Sequence, residues 1–367
     1  MSDIILDGLE YPVIFSDKAP SSLLDVIARQ DPKVERVAIV ADRRLASRAN
    51  AFARAFPRLG ARVLGSRLIA GGERAKSPAS LATLWRAFAE MRVDRGTLIV
   101  ALGGGTITDL AGFASATFAR GVPWAAIPTT VLAMADAAIG GKTAIDLPAG
   151  KNLAGAFWPP RAVVADVAAL ETLPARERAT GLAEVIKAAV VGDAGLLDAV
   201  EAFDASHASS EAWVELIVRA ARVKVRIVAG DPFDRGSRAA LNLGHTIGHA
   251  LEHAAGGQLS HGAAVSIGLR AAGLLALKAG MFSPGDHARV LRALARQGLP
   301  LSWSGARREA AVRKALDLDK KRAGAKIGFI IPERIGAVKV GVTVERSTLR
   351  STIRQCAVPP QAEELME

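Results

Sequence analysis

The first half of the chain alternates short runs of β-branched residues with stretches in which apolar residues recur at helical spacing. This alternation is typical of a parallel sheet whose strands are joined by crossover helices. We therefore expect an α/β domain over residues 1–173. The predicted strands are residues 37–41, 62–69, 97–102, 124–127 and 162–165, and the predicted helices are residues 46–56, 80–91 and 109–118.

The second half of the chain has a different pattern. The β-branched runs largely disappear, and Ala, Leu, Arg and Glu recur at helical periods, which predicts a mainly helical domain over residues 174–367. Glycines interrupt this pattern near positions 192, 256, 280 and 298. Two late apolar runs, residues 327–331 and 338–342, predict a small β-hairpin, and the tail after Val358 is predicted to be frayed.

Composition narrows the class of protein. The chain has 367 residues, 50% of them hydrophobic, and a mean hydropathy of +0.24, which is enough apolar material for two packed domains. The one cysteine, Cys356, has no partner for an intramolecular disulfide, and the first residues lack the basic and apolar segments of an export signal. The most apolar long stretch contains Arg270 and Lys278 and is too charged to cross a membrane. We expect a soluble cytoplasmic protein without a membrane partner.

The net charge suggests an anionic partner. The formal charge is +11, from 47 Lys and Arg against 36 Asp and Glu. Arginines at helical spacing, for example Arg289, Arg292 and Arg296, could form a basic face for nucleic acid. Such a face is more often simply solvated, and aromatic residues make up only 5% of the chain with no interleaved stacking pattern. We expect no nucleic-acid partner.

A glycine-rich turn follows the predicted strand 97–102. The sequence GGGTITD at residues 103–109 leads into a predicted helix. Glycines at such a turn let the backbone approach a pyrophosphate closely, and the amides at a helix start favour negative charge. A tight turn without a ligand has the same pattern, and the spacing of the G-x-G-x-x-G fingerprint is missing. Asp42 follows the first predicted strand, where ribose-binding acids often lie, but it also fits a solvated loop.

Four of the six histidines lie between positions 245 and 261. His245, His249 and His253 are spaced by four residues and share one face of a predicted helix. Zinc protease helices have this spacing but need glutamate after the first histidine, where this chain has threonine. Polar histidines inside a packed helix are one interpretation. The other adds His261 and Glu184 to give a zinc site of two imidazoles and one carboxylate.

Several longer motifs occur in order along the chain. They are GGGTITD at residues 103–109, FARG at 118–121, IPTT at 127–130, ADAAIGGKT at 135–143, GKN at 150–152, AEVIK at 183–187, LNLGHTIGH at 241–249, SHG at 260–262 and DKK at 319–321. In this order the motifs resemble those of the 3-dehydroquinate synthases, which are sugar-phosphate cyclases. The resemblance extends from about Asp42 to Lys321.

The resemblance implies a fold and a reaction. The fold is a Rossmann-like α/β domain with a parallel sheet, followed by an all-α domain. The reaction is the conversion of 3-deoxy-D-arabino-heptulosonate 7-phosphate to 3-dehydroquinate. In the family, bound NAD oxidises the hydroxyl on carbon 5, phosphate then leaves by elimination, and the ketone is reduced again. Ring opening and an intramolecular aldol reaction close the carbocycle.

The resemblance also implies roles for individual residues. Metal ligands, for zinc or cobalt, are Glu184, His245 and His261. Positions that match catalytic or substrate-contacting ones are His249, Asp234, Lys142, Asn152, Lys187, Lys224, Arg238, Asn242, Lys321 and Asp136, with Arg120 supplied across a homodimer interface. Positions that match the NAD site are Asp42, Glu73, Lys76, Gly104, Gly105, Thr106, Asp109, Thr129, Thr130, Lys151, Thr172 and Leu173. Many cations suit a phosphorylated acid, which carries about three negative charges at neutral pH.

Some positions depart from the family pattern. Pro232 and Asp234 stand where the family has glutamates, and Ala263 stands where it has another glutamate. These departures leave two alternatives: a related cyclase acting on sedoheptulose 7-phosphate or glucose 6-phosphate, and a metal-dependent polyol dehydrogenase. Retention of Arg238 and Asn242 favours a substrate that carries a carboxylate.

Overall fold

The computed structural model describes residues 1–30, 34–303, 310, 312 and 328–366. The chain divides into two compact units, Met1–Leu173 and Pro174–Glu367. Each unit has its own core, and the two are described separately below. No helix among these described residues combines the length and apolar character needed to span a membrane.

The first unit is built on a seven-stranded sheet. The strands of the unit are β1 (Ile4–Leu6), β2 (Val13–Ser16), β3 (Arg36–Asp42), β4 (Arg62–Ile69), β5 (Thr97–Gly103), β6 (Trp124–Pro128), β7 (Lys142–Leu147), β8 (Gly150–Phe157) and β9 (Val163–Asp166). The sheet order is β1-β2-β9-β6-β5-β3-β4, and every neighbouring pair is parallel except β1 with β2. Strands β7 and β8 form a separate antiparallel hairpin.

Helices cover this sheet, as the alternating pattern predicts. They are α1 (Ala19–Gln30), α2 (Ala46–Ala55), α3 (Pro78–Glu90) and α4 (Gly105–Thr117). Leu23 of α1 and Phe52 of α2 join Val37, Ile39 and Val100 of the central strands in one buried cluster. Alternate strand residues point to opposite faces, so a central strand buried on both faces has to be apolar throughout. This requirement explains why these strands could be predicted from the sequence.

The order of the parallel strands reverses at β3. Strand β3 connects through α2 to β4 on one side, and the chain then returns through α3 to β5 on the other side of β3. Open α/β sheets bind ligands outside the carboxyl ends of strands where the order reverses in this way. Asp42 ends β3 and Gly103 ends β5, so two candidate residues lie at this reversal.

The second unit is mainly helical. Its helices are α5 (Ala175–Gly192), α6 (Ala194–Ala202), α7 (Ser210–Gly230), α8 (His245–Ala255), α9 (His261–Lys278), α10 (Pro284–Arg296), α11 (Arg346–Cys356) and α12 (Ala362–Met366). The predicted hairpin is present as β10 (Gly328–Arg334) and β11 (Ala337–Thr343). Helices α5, α8, α9 and α10 end within two residues of the glycines that interrupt the sequence pattern. Serines at positions 209, 260 and 283 cap the starts of α7, α9 and α10.

The prediction of a frayed tail after Val358 was wrong. Arg270 of α9, only 1% exposed, forms a two-point ion pair with Glu364 of α12, at 2.8 and 2.9 Å. Its remaining terminal nitrogen donates to the carbonyls of Leu301 and Val358. A buried guanidinium needs such partners, and they lie up to 94 residues away along the chain. No local pattern could therefore indicate that the tail is held.

The ion pair yields a stability prediction. Glu364→Ala leaves the buried Arg270 guanidinium without its carboxylate, so we expect the free energy of unfolding to fall by about 3 kcal/mol. Glu363→Ala removes an exposed neighbour and should change it by less than about 0.5 kcal/mol. Denaturant unfolding of the three proteins measures both values. Equal losses in the two variants would contradict the role of the ion pair.

The same pair has a predictable pH dependence. Burial tends to raise the pKa of Glu364, but hydrogen bonds from His287 and Arg270 lower it to about 2. A carboxyl whose folded pKa is depressed contributes stability above its usual pKa and loses it as the pH falls toward the folded value. The difference between parent and Glu364→Ala should thus stay constant above about pH 5 and shrink only in stronger acid.

Candidate active site

The glycine turn lies at the start of α4. The helix begins at Gly105, four residues earlier than predicted, and its N-cap is Gly104, which supplies no side-chain cap. A Cβ atom at position 104 would lie 3.2 Å from Thr130 Cγ2, and one at position 105 would lie 2.9 Å from Ala137 Cβ. The glycines therefore let the turn pack against the segment that follows β6, which includes Thr129 and Thr130. The amides of this helix start suit an anionic group.

Asp42 is held by a neighbour in the sequence. Its carboxylate accepts hydrogen bonds from the backbone amide of Arg44 and from two nitrogens of the Arg44 guanidinium, at 2.7 to 3.0 Å. Burial alone would raise the pKa of Asp42, but these bonds and the charge of Arg44 bring it below its usual value. The acid is therefore ionised and fixed at the end of β3.

Lys76 connects the start of α4 to the β7–β8 hairpin. Its ammonium lies 2.7 Å from Asp109 Oδ2 and also contacts the side-chain oxygen of Asn152. Burial tends to lower the pKa of Lys76, but the charges of Asp109, Glu73 and Asp146 raise it above its usual value. A buried, charged lysine thus connects the first turns of α4 to the β7–β8 hairpin. Lys151 of that hairpin pairs with Glu73 at 3.1 Å.

Asp146, which no sequence pattern singled out, shapes this hairpin. Its backbone amide donates to the carbonyl of Lys76 at 2.9 Å, and its carboxylate accepts the amide of Asn152 at 2.8 Å. Asn152 has a left-handed backbone with φ of +52°, which asparagine tolerates better than most residues. Asp146 therefore holds Asn152 in the conformation that reaches Lys76. It lies in β7, a strand that the sequence pattern did not predict, so no local signal marked it.

Other predicted residues of the first unit are placed as follows. Arg120 is exposed in a turn where Ala119, Arg120 and Gly121 all have positive φ values. Asp136 is half-buried in a π-helical turn, and Lys142 is the exposed first residue of β7. Thr106 lies in the first turn of α4, and Thr172 and Leu173 are the last residues of the unit.

The second unit brings the predicted metal ligands together. Glu184 of α5 is 1% exposed, and its Oε1 lies 3.1 Å from His261 Nε2 and 3.5 Å from His245 Nε2. Its other oxygen contacts the ammonium of Lys187, one turn further along α5. His249 follows one turn after His245, with ring centroids 5.1 Å apart. Three groups from three helices thus surround one buried carboxylate, and His249 lies beside them.

Glycines make this convergence possible. A Cβ atom at Gly268 of α9 would lie 2.0 Å from the carbonyl oxygen of Gly244, the N-cap of α8. A Cβ atom at Gly262 of α9 would lie 2.1 Å from the carbonyl oxygen of Thr180 in α5. Neither position can hold a side chain at this spacing. The close approach of α9 to both neighbours puts His261 beside Glu184 and His245.

The donor set fits a divalent transition metal. One oxygen of Glu184 and one nitrogen each of His245 and His261 lie within 4.8 Å of one another. Two imidazoles and a carboxylate form a known three-ligand set for catalytic zinc. Burial raises the pKa of the Glu184 carboxyl, but Lys187 and both histidines outweigh it, so the pKa lies well below its usual value. Burial lowers the pKa of His261, but Glu184 and Glu252 raise it to about 10, so metal binding displaces a proton.

The loop after α7, which departs from the family pattern, is held by the carboxylate of Asp231. Asp231 accepts hydrogen bonds from the backbone amides of Arg235, Gly236 and Arg238, at 2.7 to 3.1 Å. The buried guanidinium of Arg238 donates to the carbonyl of Pro232 at 2.5 Å. Backbone carbonyls survive any substitution, so proline at position 232 still holds Arg238. No sequence pattern indicated this role for Asp231.

The remaining predicted residues of this unit are placed as follows. Asp234 has a left-handed backbone with φ of +54°. Lys224 is half-buried on α7, and Asn242 is exposed just before α8. Lys321 lies outside the described residues.

Comparisons with known proteins identify the family of the chain. Models of the 3-dehydroquinate synthase N-terminal and C-terminal regions match residues 66–180 and 181–322. A 3-dehydroquinate synthase from Synechococcus sp. is 42% identical over 293 residues, which cover 78% of this chain and 80% of the relative. One from Symbiobacterium thermophilum is 37% identical over 343 residues, which cover 93% and 96%.

A solved structure extends the comparison to the fold. The 2-epi-5-epi-valiolone synthase of Streptomyces hygroscopicus, with NAD+ and Zn2+ bound, has a TM-score of 0.84 and 25% identity, and the match covers 97% of this chain and 99% of that one. The fold is that of the sugar-phosphate cyclases, which confirms the expected fold class. The chain belongs to the 3-dehydroquinate synthase family.

The glycine contact yields a prediction about the metal site. Gly262→Ala places a methyl group against the Thr180 carbonyl, so α9 must move away from α5 and carry His261 with it. We expect zinc affinity to fall by at least tenfold and stability to fall by about 1–3 kcal/mol, although no ligand is changed. Chelator competition measures the affinity. Gly230→Ala, at a glycine with open space around it and no positive φ, is the control and should bind zinc like the parent. Unaltered affinity in Gly262→Ala would show that this contact does not position His261.

Proposed function

We propose that the chain is a 3-dehydroquinate synthase of the shikimate pathway. It converts 3-deoxy-D-arabino-heptulosonate 7-phosphate to 3-dehydroquinate and phosphate, as a lyase of aromatic amino acid biosynthesis. The observation that carries the proposal is the buried cluster of Glu184, Lys187, His245 and His261, in a chain whose family match spans both units. NAD and a divalent metal, zinc or cobalt, are its cofactors.

The first unit would hold the dinucleotide. Asp42 is the acid for the ribose hydroxyls, and the start of α4 at Gly104 and Gly105 is the place for the pyrophosphate. Lys76 and Asp109 fix the position of that helix start relative to the β7–β8 hairpin. The remaining NAD positions predicted from the resemblance are proposed on the same basis.

The second unit would hold the metal and anionic groups of the substrate. A metal held by Glu184, His245 and His261 would supply a Lewis acid for the carbon-5 oxygen, and NAD would supply the hydride acceptor and donor. Lys187, Lys224 and Arg238 would face phosphate and carboxylate, because ammonium and guanidinium groups suit such anions. His249, exposed one turn from His245, holds or moves a proton near the phosphate.

Three residues bear on the choice of substrate within the family. Arg238 keeps its position through a backbone carbonyl even though Pro232 replaces a glutamate. Asp234 retains a carboxylate that is one methylene shorter than the family's glutamate. Arg238 and Asn242 together favour a substrate with a carboxylate, which sedoheptulose 7-phosphate and glucose 6-phosphate lack. We also propose a cytoplasmic homodimer that needs neither nucleic acid nor membrane.

A product assay tests the activity. The protein with NAD and zinc should release phosphate from the heptulosonate phosphate and form 3-dehydroquinate in equal amounts, with no net NADH. His261→Ala should lose both the activity and the stoichiometric zinc, because one of three ligands is gone. Turnover of sedoheptulose 7-phosphate or glucose 6-phosphate instead would assign the chain to a related cyclase. NADH accumulation with a polyol, without phosphate release, would indicate a dehydrogenase.

A mixing experiment tests whether Arg120 acts across a dimer. Arg120→Ala and Lys142→Ala should each be inactive, since each loses a substrate cation. If Arg120 reaches the partner's site, mixed dimers contain one site with both cations intact, and we expect up to about one quarter of parental activity on statistical grounds. Subunit exchange is verified with differently tagged chains. Exchange without recovered activity would contradict a shared site.

A further inference from the structure

Glu252 is a buried carboxylate beside the predicted metal ligands and has no role in the proposed reaction. It lies on α8, three residues after His249, and is 6% exposed. Both of its oxygens lie 3.4 Å from His261 Nδ1. The opposite ring nitrogen of His261, Nε2, faces Glu184 at 3.1 Å. The imidazole is therefore held between two carboxylates, one on each nitrogen.

His245 is held in a similar way, with an oxygen at each ring nitrogen. His245 Nε2 faces the same Glu184 oxygen, and His245 Nδ1 lies 3.1 Å from the carbonyl of Leu243. A carbonyl can only accept, so His245 Nδ1 carries a proton, which leaves Nε2 as the nitrogen available to a metal. A carboxylate at Nδ1 of His261 selects the same tautomer. Both rings then direct Nε2, the nitrogen whose proton a bound metal replaces, toward the Glu184 oxygen.

We propose that Glu252 is a positioning residue for the metal site, which accepts the Nδ1 proton of His261 and so orients Nε2 as a ligand. Metal-binding histidines commonly donate their second N–H to such an acceptor, which fixes the ring and raises its basicity. Glu252 differs from the Leu243 carbonyl in carrying a full negative charge. It therefore strengthens His261 as a ligand as well as orienting it. The inference rests on the metal site of the proposed function but not on the identity of the substrate.

The geometry also contains a competing arrangement. His249, Glu252 and His261 offer ligand atoms within 4.8 Å of one another, so Glu252 could be a direct ligand. The orienting role is favoured because Glu184 is more deeply buried and lies near the Nε2 atoms of two histidines. In the competing arrangement Glu252 is essential for binding and Glu184 is not. The two roles therefore predict opposite results for substitutions at these positions.

Zinc affinity provides the first test. Glu252→Ala removes the acceptor, so we expect zinc affinity, measured by chelator competition, to fall 10- to 100-fold. Glu252→Gln has the same shape and keeps an oxygen acceptor without the charge, so its loss should be smaller than that of Glu252→Ala. His253→Ala changes the exposed next residue of the same helix and should bind zinc like the parent. Unchanged affinity in Glu252→Ala would overturn the proposal.

Spectroscopy separates orientation from ligation and from general damage. In the Co2+-substituted proteins, Glu252→Ala and Glu252→Gln should retain the parental absorption bands, because the ligands are unchanged, whereas Glu184→Ala should alter or lose them. In the zinc-bound proteins the ¹⁵N signal of His261 Nδ1 should shift in Glu252→Ala, because its N–H has lost the carboxylate acceptor, a change that a merely structural role would not produce. Altered bands in Glu252→Ala with parental bands in Glu184→Ala would make Glu252 a ligand and overturn the orienting role.

These measurements do not depend on turnover. If the parent binds zinc but does not convert the heptulosonate phosphate, the proposed function fails while the affinity and spectra still test Glu252. If the parent is an active synthase and Glu252→Ala binds zinc normally, the positioning role fails while the function stands.

Discussion

The buried carboxylate of Glu184 is the charge around which the helical unit is arranged. An ionised carboxylate is expensive to remove from water unless cations or donors surround it. Lys187 meets this need from the same helix, and His245 and His261 meet it from two others. Those helices can approach only because Gly262 and Gly268 leave room for backbone carbonyls. Backbone packing thus decides where the charged groups meet.

A buried charge also fixes the surrounding groups of the first unit, but there the charge is positive. There the buried charge is the Lys76 ammonium, and Asp109 and Asn152 come to it from α4 and the β7–β8 hairpin. Asp146 holds the hairpin residue in a left-handed conformation that would otherwise be rarely populated. In both units an apolar core forms the fold, and a buried charge fixes the groups around it.

The sequence predicted what depends on local pattern. Central strands such as Arg36–Asp42 and Thr97–Gly103 are buried on both faces, and their continuous apolar character marks them. Strands β1 and β2 have only three and four residues, too few for a periodic signal. The spacing of His245 and His249 predicted a shared helix face, and the family motifs supplied Glu184 and His261. Asp146, Glu252 and Glu364 were missed because their partners are set by tertiary packing.

Burial alone does not distinguish a cation that serves the fold from one that serves a ligand. Arg270 and Arg238 are about equally buried, yet Arg270 fastens the C-terminal helix through Glu364. Lys76 and Lys187 are also buried, and they lie beside the start of α4 and the Glu184 cluster. The location of a buried cation, beside a helix start or a donor cluster, is therefore what indicates a ligand-binding role. The net charge of +11, which by itself suggested a polyanion, includes cations whose partners are inside the protein.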